Sequence, residues 1–186
     1  MTQTNSTLQR QLAADLDGTF PRLIDEMQGL VFNAARRWLP ARQDAEDVTQ
    51  EVFIRAYKAL ADYDSRGIGD LRLRPWLFTI TLNLCRNHAR TRGRRPRQVE
   101  LGTRHEAVAS DSVEHDAVSS VTIDEWRDRL AGLPARQRNA IVLRHVVGLG
   151  YDEISDVVGT PPGTVKSDVH RGLSRLRSML ATEETI

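Results

Sequence analysis

The sequence predicts an all-α protein of two small helical domains joined by a flexible acidic linker, the C-terminal domain containing a helix-turn-helix. Three observations predict it. Apolar residues recur at helical spacing on both sides of residues 97–120, with no β-alternation apparent anywhere. The stretch from Arg97 to Ser120 has no aromatic residue and no sustained apolar period, and it is long for a loop inside a compact domain. Finally, Tyr151 to Val158, Gly159 and the pair Thr160-Pro161 set out a short helix, a turn and the start of a longer helix.

The boundaries follow from these breaks. Residues 1–18 read as a polar N-terminal tail, 19–96 as the first domain, 97–120 as the linker and 121–182 as the second domain. A chain of 186 residues with 40% hydrophobic and 27% charged residues can build such cores. No run approaches the roughly 18 apolar residues that a membrane span needs, and the N-terminus lacks an apolar signal core. A cytoplasmic protein without stable membrane insertion is expected. The single cysteine, Cys85, excludes an internal disulfide and a cysteine-based metal cage; it reads as a small core residue.

The net charge is only +1, from 26 basic and 25 acidic residues, and taken whole it argues against a nucleic-acid partner. Divided by segment it argues the opposite. Asn83 to Arg97 holds Arg86, Arg90, Arg92, Arg94, Arg95 and Arg97 with no acid. From Gln98 to Val118 the sign reverses, with Glu100, Glu106, Asp111, Glu114 and Asp116 against Arg104. Pro162 to Leu180 is basic again. A polyanion meets local patches, not the sum.

In the first domain the spacing predicts a helix from about Asp44 to Leu60. Ala45, Val48, Val52, Ala56 and Leu60, with Phe53 and Tyr57 beside them, form its buried stripe. Asp47, Gln50 and Glu51 share the outer face, which Asp44 extends by a turn. That face suits a basic partner surface; for an isolated helix, acids placed to favour the macrodipole are the stronger reading. A second helix runs from about Arg74 to Arg92, with Pro75 in its first turn. Trp76, Leu77, Ile80, Leu84 and Cys85 supply its apolar side. Thr79, Asn83, Arg86, Asn87 and Arg90 lie opposite, amides and arginines together, as contacts to base edges and phosphates require. Between the helices, Ala61 to Leu73 reads as a loop, equally a mobile recognition loop or an inert connection.

In the second domain a helix around Thr122 to Leu130 precedes one opened by Pro134, then Tyr151 to Val158 and a last helix from about Pro161 to Leu180. Val165, Val169, Leu173, Leu176 and Leu180 point inward there. Lys166, Ser167, His170, Arg171 and Ser174 are left outward, as on a recognition helix in a major groove.

At this point the residues resemble a family. Asp-Ala-Glu-Asp-Val-Thr-Gln-Glu-Val-Phe at 44–53, Pro-Trp-Leu-Phe at 75–78, Leu-Pro-Ala-Arg-Gln-Arg at 133–138, Tyr-Asp-Glu-Ile at 151–154 and Gly-Thr-Val-Lys-Ser at 163–167 resemble bacterial RNA polymerase sigma factors. More narrowly, they resemble the extracytoplasmic-function (ECF) group of the sigma-70 family, over roughly residues 19 to 181. The resemblance implies a promoter-specificity subunit that binds core RNA polymerase and promoter DNA. Asp47, Gln50 and Glu51, with Asp44 on the same face, match the segment that grips the polymerase clamp helices. Asn83 and Asn87, with Arg86 and Arg90 beside them, match contacts to the −10 element, and the loop between Asp62 and Asp70 matches one that captures an extruded base. Lys166, Ser167, His170 and Arg171 match the helix that reads the −35 element. Asp168 and Thr79 depart from the family pattern, each standing where a basic residue is common. Many similar proteins are held inactive by an anti-sigma protein, a partner that no residue here specifies.

The alternative is a self-sufficient dimeric helix-turn-helix regulator that acts without core polymerase. An enzyme is not expected. His88, His105, His115, His145 and His170 show no metal-ligand spacing, no P-loop or nucleophile elbow is present, and neither a cofactor nor a metal is called for.

Overall fold

The computed structural model describes residues 2–94 and 123–183; the linker expected at 97–120 lies outside them. Among the described residues there are nine α-helices and no strand: α1 (Thr2–Ala14), α2 (Leu16–Trp38), α3 (Arg42–Ala61), α4 (Ser65–Asp70), α5 (Leu73–Arg94), α6 (Ile123–Ala131), α7 (Ala135–Ile141), α8 (Tyr151–Val158) and α9 (Pro162–Glu183). The all-α class read from the periodicity is the one the chain adopts.

Helix α2 is the spine of the first group. Asp15 caps it, its carboxylate accepting from the Gly18 amide at 2.9 Å, while Arg36 and Arg37 occupy the last turn, where the macrodipole favours cations. Its stripe of Phe20, Leu23, Met27, Val31, Ala34 and Ala35 is buried, and α1, α3 and α5 pack around it. Ala45, Val48, Val52, Phe53, Ala56 and Leu60 of α3 are buried as expected. Full burial of each large apolar side chain is worth about 1.5–3 kcal/mol, so this stripe-on-stripe packing dominates the stability of the group. Tyr57 departs from the expected stripe. It stays partly exposed, its ring edge-on to Phe20 at 5.1 Å and its hydroxyl donating to the Asp17 carboxylate at 2.6 Å.

Two segments differ from expectation. Residues 2–14, expected within a polar tail, are helical, because Leu8 and Leu12, one turn apart, reach the core and are buried there. Two leucines in a polar context make too short a stripe to announce a helix. The loop expected at 61–73 contains α4, plugged into the core by the buried Ile68.

In the second group α7 does not stop at Ile141. The chain widens into a π-turn over Val142–Val146, where the Val147 amide reaches back to the Val142 carbonyl at 3.1 Å. Helix α8 opens with Glu153 accepting from the Gly150 amide at 2.8 Å and ends at Gly159, whose φ of 69° is the left-handed conformation that terminates helices. Ser155 donates to the Thr160 carbonyl at 2.6 Å and so pins the turn. Pro162 is the first residue of α9, where its missing N–H would have had no intrahelical partner. Helices α7 and α9 approach closely at Gly172: a Cβ there would lie 2.5 Å from Ile141 Cδ1 and 3.2 Å from Gln137 Cβ.

The two groups pack on each other. Helix α2 meets α6 and the π-turn, and α5 meets α8, so one apolar cluster continues from Leu8 to Leu176. Polar ties cross the seam. Arg74 donates to the Val147 carbonyl at 2.6 Å, Arg127 donates to the Pro40 carbonyl at 2.8 Å, and Arg72 pairs with Asp156.

Candidate functional site

Three polar faces carry the residues singled out in the sequence, one each on α3, α5 and α9.

On α3 the inward stripe leaves Asp47 and Gln50 exposed and Asp44 and Glu51 half-buried on one outer face. Two of the carboxylates are held. Arg55 donates to Glu51 at 2.6 Å, and His88 Nε2 of α5 lies 3.5 Å from Asp44. Beside Gln50 the face continues into an open groove between α2 and α3, where Gln28, Gly29 and Phe32 oppose Arg42, Glu46 and Thr49. The Arg42 guanidinium stands 6.0 Å from the centroid of the Phe32 ring. The periodicity of α3 alone does not show this wall, which belongs to the preceding helix, ten or more residues earlier in the chain. Ile54, 49% exposed, adds an apolar contact one turn beyond Gln50 and Glu51.

On α5, Leu77, Phe78, Leu82, Leu84 and Cys85 are buried, and Asn83, Arg86, Asn87 and Arg90 are exposed together on the other side. Phe78 is fully buried although the helical-face reading did not include it; Trp76 and Ile80 are only partly covered. Thr79, which stands on the polar side of the sequence pattern, turns its hydroxyl back to the Pro75 carbonyl at 2.9 Å. Burial pushes the Cys85 thiol up to about 12, so it is an inert core group at neutral pH. Arg86 also lines a cavity of about 250 Å³ shared with Arg136, Asn139, Thr160 and Asp168 of the second group.

On α9, Lys166, Ser167, His170 and Arg171 are exposed side by side and line one shallow groove. Asp168 does not join them. It is buried, its carboxylate 3.4 Å from Arg136 Nε of α7 and 3.7 Å from the Arg171 guanidinium. The acid that stands where the family pattern commonly has a basic residue is therefore turned inward and paired with two cations. Arg171 Nε also lies 3.4 Å from the Ser167 carbonyl, so the base of its side chain is held against its own helix. Arg175 ties α9 to α7 through Gln137 at 3.1 Å.

The three faces thus offer an acid-and-amide helix flanked by a groove, an amide-and-arginine helix, and a cationic helix rising from a fixed turn. Among the described residues no three His, Cys, Asp or Glu side chains are grouped to hold a metal ion, and no helix is long and apolar enough to cross a membrane.

Comparison with known proteins places these faces in context. The sigma-70 region 2 model matches residues 23–95, which include α3 and α5, and the sigma-70 region 4 model matches residues 123–176, which include the helix-turn-helix. The RNA polymerase sigma-H factor of Pseudomonas aeruginosa is 31% identical over 160 residues, covering 82% of this chain and 81% of that protein. The ECF RNA polymerase sigma factor SigW of Bacillus subtilis is 30% identical over 171 residues, covering 87% of this chain and 88% of that protein. Among solved structures, the sigma factor RpoE of Bartonella quintana, in complex with the anti-sigma factor NepR, has a TM-score of 0.69 and 26% identity over 87% of this chain and 96% of that one. CnrH, solved with the cytosolic domain of CnrY, shares the fold with a TM-score of 0.69 at 24% identity, over 95% of this chain and 97% of that chain.

Proposed function

Because the chain belongs to the extracytoplasmic-function group of the sigma-70 family of RNA polymerase sigma factors, we propose that its three polar faces divide promoter recognition between core polymerase, the −10 element and the −35 element. The protein is the promoter-specificity subunit that binds core polymerase and directs transcription initiation. The residue assignments rest on one observation above all: every residue that the family motifs single out on α3, α5 and α9 reaches the surface, while its helical neighbours fill the core.

Asp44, Asp47, Gln50 and Glu51 grip the polymerase clamp, with the α2 wall of Gln28 and Phe32 widening that surface. Residues 19–96 carry this contact and the −10 face, and 121–182 carry the −35 face. Helix α9 enters the −35 major groove, Lys166 and Arg171 holding phosphates while Ser167 and His170 face base edges. Asn83, Arg86, Asn87 and Arg90 receive the −10 strand, and the segment from Asp62 to Asp70 takes an unstacked base. Unstacking costs a few kcal/mol per base, offset by stacking and phosphate contacts in the bound state. No bond is made or broken, so the role is binding, not catalysis. Two tethered contacts held by polymerase act together even where each alone is weak. The protein works in the cytoplasm, where polymerase and promoter are, and an anti-sigma protein is the class of antagonist that its relative from B. quintana suggests.

Gel shift and run-off transcription with the purified chain, with and without core polymerase, test this reading. Promoter-specific complexes and transcripts are expected only with core. Tight duplex binding by the chain alone, unaffected by core, would overturn it. With core present, Arg171→Ala should lower the salt dependence of promoter binding by about one phosphate contact.

A further inference from the structure

The shortest helix in the first group is held from outside by a side chain far earlier in the chain. At six residues, α4 is too short to persist alone, because nucleation outweighs so few backbone bonds. Gly67 and Gly69 lower its helical preference further. Its first turn is closed locally, the Asp64 carboxylate accepting from the Gly67 amide at 2.7 Å.

Its far end is closed by Gln9 of α1. The Gln9 side-chain nitrogen lies 2.7 Å from the Ile68 carbonyl oxygen, 2.8 Å from that of Gly69 and 2.5 Å from that of Leu71. The last carbonyls of a helix have no intrahelical partners, and one amide group brings two protons to these three acceptors. Buried Leu8 and Leu12 fix α1 against the body, so Gln9 is presented to α4 by a seated helix. On the opposite side Ser65, Arg66, Gly69 and Asp70 are exposed. The outer surface of α4 therefore takes a shape that is set from behind.

We propose that Gln9 is a positioning residue for promoter strand capture, holding α4 and the turn into α5 in the form that receives an unstacked −10 base. The inference rests on the reading that residues 62–70 take that base. Gln9 acts through the α4 backbone and touches no DNA. Leu71, one of its acceptors, stands two residues before α5, so the same anchor sets how the pocket joins the helix that carries Asn83 and Asn87. Gln9 also precedes the residues matched by the region 2 family model, which start at 23.

The test uses holoenzyme and a promoter fragment that wild-type holoenzyme has selected from a randomised pool, built as a fork with its −10 strand unpaired. Affinity is measured for the intact fork and for forks made abasic at each −10 position in turn. Wild type should show one position at which base removal weakens binding strongly. Gln9→Leu, which takes the side-chain donor away from the three carbonyls and leaves Ile68 only the Leu71 amide, should bind the intact fork about tenfold less tightly, the effect of about two lost hydrogen bonds. It should also lose most of the abasic penalty at that position, with core assembly unchanged. Gln9→Lys, which restores donors, should recover the penalty. A Gln9→Leu holoenzyme whose penalty and affinity match wild type overturns the role of Gln9. A wild-type holoenzyme with no penalised position overturns the base-capture reading instead, and the inference with it. If Gln9→Leu fails to assemble with core, the Gln9→Glu variant decides: retention of the full penalty by a side chain that has no donor counts against the proposal.

Discussion

The carboxylate of Asp168 lies 3.7 Å from the guanidinium of Arg171 one turn later on α9, and it does so from inside the fold. Arg171 is therefore steered by an acid that is itself buried. Replacing Asp168 with Asn removes a negative charge near the phosphates and frees Arg171 and Arg136 at once. Non-specific DNA binding should rise, and the ratio of specific to non-specific affinity for the −35 element should fall by a factor of about 3–10. Competition titrations of holoenzyme with promoter and unrelated duplex measure that ratio; an unchanged ratio would show that the pair has no part in aiming Arg171.

Gln50 is exposed on the outer face of α3 and Glu51 is half-buried beside it, paired with Arg55 on its own helix. Gln50→Ala with Glu51→Ala should leave the melting temperature nearly unchanged, since such a surface pair contributes about 0.3–0.5 kcal/mol. Core polymerase binding should weaken by about tenfold or more. Arg55→Ala is the control, removing the same pair but none of the proposed interface. Equal loss of core binding in both variants would mean that the helix, not the face, is being measured.

Gly172 sits where α7 and α9 touch, with no room for a Cβ unless Ile141 moves. Gly172→Val gains helical preference but forces its side chain into Ile141 and Gln137, and overpacking of this kind costs about 1–3 kcal/mol. The expected net loss in denaturant unfolding is about 1–2 kcal/mol. Ile141→Val in the same chain should relieve part of it, which tests the contact directly.

Cys85, with its thiol pushed up to about 12 by burial, should resist alkylation by iodoacetamide at pH 8 and react rapidly once the chain is unfolded. The sign for stability follows from the same shift. Between about pH 9 and 12 the unfolded chain releases the Cys85 proton and the folded chain keeps it, so this group's contribution to stability declines as pH rises through that window. Fast native-state alkylation at pH 8 would contradict the buried position.

Much of the fold was legible because the long helices carry uninterrupted stripes. The segments around 44–60, 74–92 and 151–158 needed only period and caps. The exposed sets on α3, α5 and α9 followed from the same wheels, which is why all twelve motif residues lie on the surface or its margin. What was not legible depended on partners distant in sequence. Asp168 stands at the edge of the α9 stripe, three residues after Val165, and a charge there has a reason only once Arg136 of α7 is placed beside it. Helix α4 has no stripe of its own and exists through Ile68 and Gln9. The π-turn is a choice of backbone register, with the Val147 amide bonded to Val142, that side-chain periodicity does not encode.

The bond from Arg74 to the Val147 carbonyl also sets a limit on reach. Elements named for positions −35 and −10 are about 25 base pairs apart, roughly 85 Å along a duplex at about 34 Å per turn. A packed chain of 186 residues is about 40 Å across. On the proposed assignments, α5 and α9 cannot both occupy their elements while the seam is shut, and the expected promoter affinity of the lone chain is scaled by the fraction in which it is open. Fluorophores on Arg90 and Arg171 should move from close range to beyond energy-transfer distance when holoenzyme engages a promoter. On those assignments the isolated protein holds both halves of the promoter code folded shut, and polymerase, by holding them apart, would supply the ruler that measures the distance between them.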